Sequence, residues 1–472
     1  MKCNSTHLVL SPLRRVRSLA LGFGLVCAAM SLTLARAADR PFYLQPNDRV
    51  CFYGDSITEQ RYYGMDVETF VRTRFPGLQV EFVNSGVGGD RVTGGWAGRI
   101  DLRLERDVFP FKPNVVTIML GMNDASYRPF DEKIFATYTA GYEHIIESLQ
   151  AHLPGVRIVL IQPTPYDDIT QPPKFPGGYN AVLLRYSAFV RELAEKHHLE
   201  CVDFMTPLVN VVTQAHAENP TLATKILPGR IHPSALGELV MAQALLQAWN
   251  APAVVTSVSI DGAAGRVVHA TNTSVTSVAV ANGGVSWSQQ DTCLPFPILG
   301  LHDTWWQFPP TQRDWGAMTF YTPAPKPDWN KIEPEAEQVL RLSGFYAALD
   351  QQPLKVSGLK PGGYALTING TAVGTFTSDQ LAAGVNLAEH HTPMLEQAYG
   401  VLDLVWKQTA WRFFAWRGIQ TQLSFDHDPT VQRAAGDLVS ALEAQGQEIG
   451  RKTYTAAQPK PTTYALTPVE GK

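Results

Sequence analysis

The sequence predicts an α/β protein whose parallel sheet is covered by helices on both faces. Three observations predict it. Between residues 49 and 250 short apolar runs alternate with longer amphipathic segments. Two of the runs, VVTIML (115–120) and IVLI (158–161), are apolar almost without a break, as strands buried on both faces are. Third, segments rich in Gly, Asn and Asp directly follow the runs, where the chain leaves a parallel strand for a helix.

Taken in order, the strands are Val50 to Tyr53, Gln79 to Val83, Val115 to Leu120, Arg157 to Gln162 and Glu200 to Phe204. Helical spacing is clearest over Phe135 to His152, Ala181 to His198 and Ser234 to Trp249. In such a sheet chemistry gathers outside the carboxyl ends of the strands. That rule brings four segments to one edge: GDSIT (54–58), NSGVGGD (84–90), GMND (121–124) and RIHPSALG (230–237).

Composition limits the function classes. The chain has 472 residues, 45% hydrophobic and 17% charged, an ordinary globular balance with room for more than one domain. Lys2, Arg14, Arg15 and Arg17 precede an apolar run from Leu19 to Leu34 that ends in Ala35-Arg36-Ala37. This pattern predicts a secretory signal peptide over 1–37, and hence an exported protein, periplasmic or secreted. The apolar run is shorter than a membrane span needs, and no span is expected in the mature chain. Cleavage takes five of the 39 Lys and Arg and leaves 34 against 43 Asp and Glu, near −9, which argues against a nucleic-acid surface. Cys51, Cys201 and Cys293 remain, widely spaced and odd in number, so no disulfide framework or CxxC metal site is expected.

Hydrolytic acyl transfer needs a hydroxyl nucleophile, a base within hydrogen-bond reach and donors aimed at the developing oxyanion. Ser56 of GDSIT, His232 of IHP, the Gly89 amide and the Asn123 side chain supply those groups in turn, with the Ser56 amide as a further donor. Together these segments resemble the SGNH, or GDSL, hydrolase superfamily of esterases and lipases over residues 49–250. The resemblance implies a three-layer α/β/α sandwich with about five parallel strands, flavodoxin-like in outline, and a serine ester hydrolase needing no cofactor and no metal. It also implies that Ser56 is the nucleophile, His232 the base, and Ser56, Gly89 and Asn123 the oxyanion donors. No GxSxG elbow occurs, which argues against the α/β-hydrolase alternative.

Each residue also has a plainer reading. A Ser between a strand and a helix is commonly a helix cap; Asn123 and Asp124 suit a turn; Asp55 suits a hydrogen-bonder to loop amides. The Gly-rich stretch lacks the GxGxxG or P-loop context of a phosphate cradle. It is the joint occurrence of four segments that favours catalysis. One position departs from the family: the supporting acid is normally an Asp three residues before the His, and Gly229 stands there. The expectation is then a Ser56–His232 dyad, with a backbone carbonyl of the Gly229 loop orienting the imidazole, or a carboxylate from elsewhere such as Asp203. Gly229→Asp would restore the acid provided Gly229 is not at positive φ.

The organisation expected is a signal peptide (1–37), a hydrolase domain (38–250), an accessory region (251–455) with β-hairpins, an aromatic-rich segment and helices, and a disordered polar tail (456–472). The aromatic segment holds Trp305, Trp306, Phe308, Trp315, Phe320, Tyr321 and Trp329, readable as a glycan-stacking platform, a lid or interdomain packing. The favoured function is an exported serine esterase removing acyl groups, acetyl foremost, from a small-molecule or glycan ester. The rivals are a lipase or thioesterase of the same superfamily and a non-catalytic glycan-binding protein on the same fold.

Overall fold

The computed structural model describes residues 41–298 and 334–469. The signal-peptide segment and the aromatic cluster of residues 305–329 therefore lie outside the described residues.

All five predicted runs are strands: β1 (Arg49–Gly54), β2 (Glu81–Gly86), β3 (Val115–Met119), β4 (Arg157–Ile161) and β5 (Glu200–Val202). They form one parallel sheet in the order β2-β1-β3-β4-β5. Parallel strands need crossovers, and these are helical: α1 (Ser56–Gln60) and α2 (Tyr62–Arg74), α3 (Ile100–Asp107), α4 (Glu132–His152) and α5 (Gly178–His197), with α6 (Met205–Glu218) and α7 (Ala235–Ala248) after β5. This is the flavodoxin-like order, with its topological switch between the two neighbours of β1. The register matters for the site: Gly54 lies opposite Gly86 on one side and Met119 on the other, so GDSIT, NSGVGGD and GMND leave the sheet side by side.

The accessory region carries two further sheets. Strands β6 (Ser257–Asp261), β7 (Arg266–Thr271), β8 (Thr273–Ala281), β9 (Gly284–Asp291), β10 (Pro353–Ser357), β11 (Gly363–Ile368), β12 (Thr371–Thr377), β13 (Val385–Asn386) and β14 (Thr462–Val469) are arranged as β8-β9-β14-β11-β12 and β13-β10-β6-β7. Alternate residues of both sheets, among them Ile260, Trp287, Val356, Leu366 and Leu466, share one buried cluster with Leu395, Ala398 and Leu402 of helix α8 (Pro393–Phe413). Helix α9 (Pro429–Ala456) packs along α8. No helix of the described residues is long and apolar enough to cross a membrane.

One expectation is corrected here. The composition of the segment from Ala456 predicts a disordered tail, yet Thr462–Val469 is the central strand of the five-stranded sheet, antiparallel to both β9 and β11. TTYALTPV alternates polar and apolar residues: Thr462, Tyr464 and Leu466 are buried, and Tyr464 stacks on Trp287 at 4.9 Å between centroids. The Lys and Pro residues before it masked a short strand whose partners lie about a hundred residues away or more.

Helix α2 shows how the accessory region completes the hydrolase domain. All thirteen of its residues are buried, charged ones included. Arg72 pairs with Glu68 at 2.7 Å and lies 4.0 Å from the Tyr454 ring, while Arg74 reaches Asp350 at 3.1 Å and the Leu349 carbonyl at 3.0 Å. Asp66 is different: neither carboxyl oxygen has a hydrogen-bond partner among the described residues, and burial pushes its pKa well above the ordinary value. Because the folded pKa is raised, the stability tied to this group is present below about pH 4, the usual carboxylate range, and is lost as pH rises. Asp66→Asn is therefore expected to stabilise the protein by about 1–3 kcal/mol at pH 8, a gain that closes toward pH 4. Denaturant titrations at both pH values measure it, and equal gains at both would refute the ionisation argument.

Candidate active site

Ser56 is the first residue of α1, and the strand-to-helix turn that presents it is fixed by Asp55. Asp55 is the N-cap: its Oδ1 accepts the Ile57 amide at 3.0 Å and its Oδ2 accepts Asn123 Nδ2 at 3.2 Å. The capping role that sequence offers to Ser56 thus falls to its neighbour, leaving the Ser56 hydroxyl to another partner. That partner is His232, 176 residues away, with Nε2 and Oγ 2.8 Å apart. The turn is also tightly packed. A Cβ on Gly54 would come within 2.2 Å of Thr58 Oγ1, and one on Gly86 within 2.4 Å of the Glu59 amide, so both positions admit only glycine at this approach.

His232 arrives from the turn before α7, held there when Gln60 Nε2 donates to the Pro233 carbonyl at 3.0 Å and Ser234 N to Ile226 O at 2.9 Å. Burial lowers the imidazole pKa from its ordinary value, so the ring is neutral, and able to take a proton, to below pH 6.5.

The loop after β2 stands beside Ser56: a Cβ built on Gly88 would lie 3.8 Å from Ser56 Cβ. Gly89 adopts φ +78° and faces open space. The amides of Ser56 and Gly89 have no hydrogen-bond acceptor among the described residues, and two such donors at a helix start and an adjoining turn can receive an anionic oxygen. Asn123 lies at the same edge, but its amide is engaged. Nδ2 donates to Asp55 Oδ2 and, at 3.1 Å, to the Asp90 carbonyl, while Oδ1 accepts the Tyr127 hydroxyl at 2.8 Å. Donation to an oxyanion therefore requires that an Nδ2 hydrogen be shared with, or released from, one of these acceptors. Burial drives the pKa of Asp55 up to about 7, that of Asp124, whose Oδ1 accepts the Val92 amide at 2.9 Å, to about 7 and that of Asp90 to about 6.

Gly229 occupies a 3₁₀ turn, Pro228–Arg230, at φ +65°. The proviso attached to Gly229→Asp therefore fails: a side chain would meet no atom within 4 Å, but the backbone there is one that L-residues rarely adopt. Restoring the family's acid at this position would strain the turn. Asp203 has a different use: its oxygens accept the Thr206 amide at 2.9 Å and the Thr206 hydroxyl at 2.6 Å, at the start of α6.

Several residues that sequence reading passed over surround the site. Glu59, three residues after Ser56, accepts the Gly88 amide at 2.7 Å. Trp96, half exposed, donates from Nε1 to the Gly88 carbonyl at 2.9 Å. Arg103, fully buried, donates to Asp90 at 2.7 Å and to the Ser85 carbonyl at 2.7 Å, and also binds Asp107. Trp96 closes the Gly-rich loop in sequence, a signal that was available; Glu59 and Arg103 read as ordinary helix-surface charges until their partners are known.

Known proteins resemble this chain, most of them over the hydrolase domain. Residues 52–239 match the model of the GDSL-like lipase/acylhydrolase family. An acetylxylan esterase of Geobacillus stearothermophilus is 28% identical over 225 residues, covering 42% of this chain and 93% of the relative. Among solved structures, a gut microbial diltiazem-metabolizing enzyme superposes with a TM-score of 0.72 at 24% identity, across 90% of this chain and 98% of its own, so the fold likeness extends through the accessory region. Four segments converging at one sheet edge, a hydrogen-bonded Ser56 and His232, and a family match spanning both residues mark residues 52–239 as a hydrolase domain of the SGNH/GDSL superfamily, among its serine ester hydrolases.

Proposed function

We propose that the protein is an exported esterase that removes short acyl groups, acetyl foremost, from a carbohydrate, with Ser56 as nucleophile and His232 as base. The observation that carries the chemistry is the 2.8 Å contact between His232 Nε2 and Ser56 Oγ, with the Ser56 and Gly89 amides free of acceptors among the described residues. Neutral His232 takes the Ser56 proton as Oγ adds to the ester carbonyl. The oxygen that gains negative charge is received by the Ser56 and Gly89 amides, with Asn123 as the third donor. Collapse of the tetrahedral species expels the alcohol, which takes the proton from the imidazolium, and leaves the acyl group on Ser56. Water, deprotonated by His232, then releases the carboxylic acid and restores the serine.

Support for a carbohydrate ester comes from the acetylxylan esterase relative and from Trp96, whose half-exposed indole stands at the Gly88 turn, where a sugar ring can stack. Export rests on the basic-then-apolar pattern of residues 1–37. An intact Ser56–His232 contact counts against the non-catalytic rival.

Nitrophenyl esters of increasing chain length, run beside acetylated xylan, test the reading. Acetyl and propionyl esters should be hydrolysed fastest and xylan should release acetate. Preference for long acyl chains would indicate a lipase instead. Trp96→Ala should raise KM for the polysaccharide by a larger factor than for nitrophenyl acetate, and an equal change for both would deny the ring-stacking role.

A further inference from the structure

The loop beside Ser56 is held from the far end of the chain. Beyond α8 the helix widens into a π-helical turn, Phe414–Gln420, a geometry that in many proteins marks a functional position. Two consecutive residues of that turn reach the hydrolase domain. Trp416 Nε1 donates to Asp107 Oδ1 at 2.8 Å, and Asp107 in turn binds Arg103, which holds Asp90. Arg417 Nε donates to Glu59 Oε1 at 2.8 Å, and its guanidinium lies 4.2 Å from the centroid of the Trp96 ring.

These contacts close a circuit. Glu59 holds the Gly88 amide through Oε2 and Arg417 through Oε1; Trp96 holds the Gly88 carbonyl and stacks against Arg417. Both backbone polar groups of Gly88 are thus fixed by side chains that Arg417 joins, one residue before the Gly89 amide. Arg417 and Glu59 are each 14% exposed, so solvent screens this pair little. A glycine-rich turn has wide conformational freedom, and a donor displaced by about 1 Å is enough to cost 100-fold in rate.

We propose that Arg417 is a positioning residue for ester hydrolysis: acting through Glu59 and Trp96, it keeps the Gly88–Gly89 turn in the conformation that serves Ser56, so the accessory region is a working part of the active site. The inference rests on the serine-esterase reading and extends it to a residue outside the hydrolase domain. Arg417→Ala should lower kcat for nitrophenyl acetate about 10- to 100-fold and change KM less than about twofold, because the turn meets charge that develops only in the transition state. Arg417→Lys should recover part of the loss, since an ammonium can pair with Glu59 but cannot cover the indole as a planar guanidinium does. Glu59→Gln should reproduce the kcat loss, and adding Arg417→Ala to it should cost little more, as expected of groups acting in series.

The rate of phosphonylation by a fluorophosphonate gives a readout that a purely structural role would not move, when normalised to the folded fraction in thermal unfolding. It should fall in parallel with kcat, and Glu59→Gln supplies the same test should Arg417→Ala fold poorly. Unchanged kcat in both variants, or a loss matched by the unfolded fraction, would overturn the proposal while leaving an active wild type and its esterase reading intact. A wild-type protein that neither hydrolyses the ester nor labels Ser56 would overturn both.

Discussion

Replacing Ser56 with alanine is expected to reduce ester turnover about a million-fold, the scale on which loss of a nucleophile acts in other serine hydrolases. The reason is mechanistic. Without Oγ there is no acyl-enzyme, and the surrounding donors can only assist direct attack by water. Folding should be almost unaffected, because Asp55, and not Ser56, caps α1. His232→Ala should cost a similar factor, and the double variant little more than either single one, since the two side chains act as one unit. Steady-state kinetics with thermal unfolding as control measure this. Turnover in Ser56→Ala within tenfold of wild type would remove Ser56 from the mechanism.

Asn123→Ala is the second large effect, about 100- to 1,000-fold in kcat, or roughly 2.7–4 kcal/mol, if its amide strengthens as negative charge develops. The structure adds a condition. Asn123 also ties the Asp55 carboxylate to the Asp90 carbonyl, so truncation releases two acceptors under the loop as well as removing a donor. A fall in kcat with KM nearly constant is the signature expected of transition-state donation. A change confined to KM would make Asn123 a ground-state binding residue.

The hydrolase sheet was legible because its strands are buried on both faces and therefore apolar almost throughout, and because each is followed at once by glycine and turn residues. The loop positions of Ser56, Gly89 and Asn123 follow from strand order and the shared register of Gly54, Gly86 and Met119. Helix α2 was not legible. Asp66, Glu68, Arg72 and Arg74 interrupt any amphipathic stripe, and their burial depends on Asp350, Tyr454 and α8, nearly three hundred residues or more away. Strand β14 failed for a related reason: a strand of eight residues next to Pro and Lys carries little local signal, and its place is set by β9 and β11. At the site, the pairing of Ser56 with His232 could be read from the joint motifs and the family they resemble, whereas the circuit through Glu59, Trp96 and Arg417 could not. No periodicity links Arg417 to a glycine turn more than three hundred positions earlier. The same limit applies to Gly229, where sequence shows a missing acid and only backbone geometry shows why an aspartate cannot simply be put back.

Covalent labelling followed by peptide mapping shows whether Ser56 carries the acyl group. Wild-type protein treated with a fluorophosphonate should gain one adduct mass, mapped to Ser56, in step with loss of ester hydrolysis. Ser56→Ala should gain none, and the rate of labelling should decline as His232 is protonated below pH 6.5. An adduct on any other residue, or full hydrolysis by protein whose Ser56 is already blocked, would rule out Ser56 as the acyl carrier.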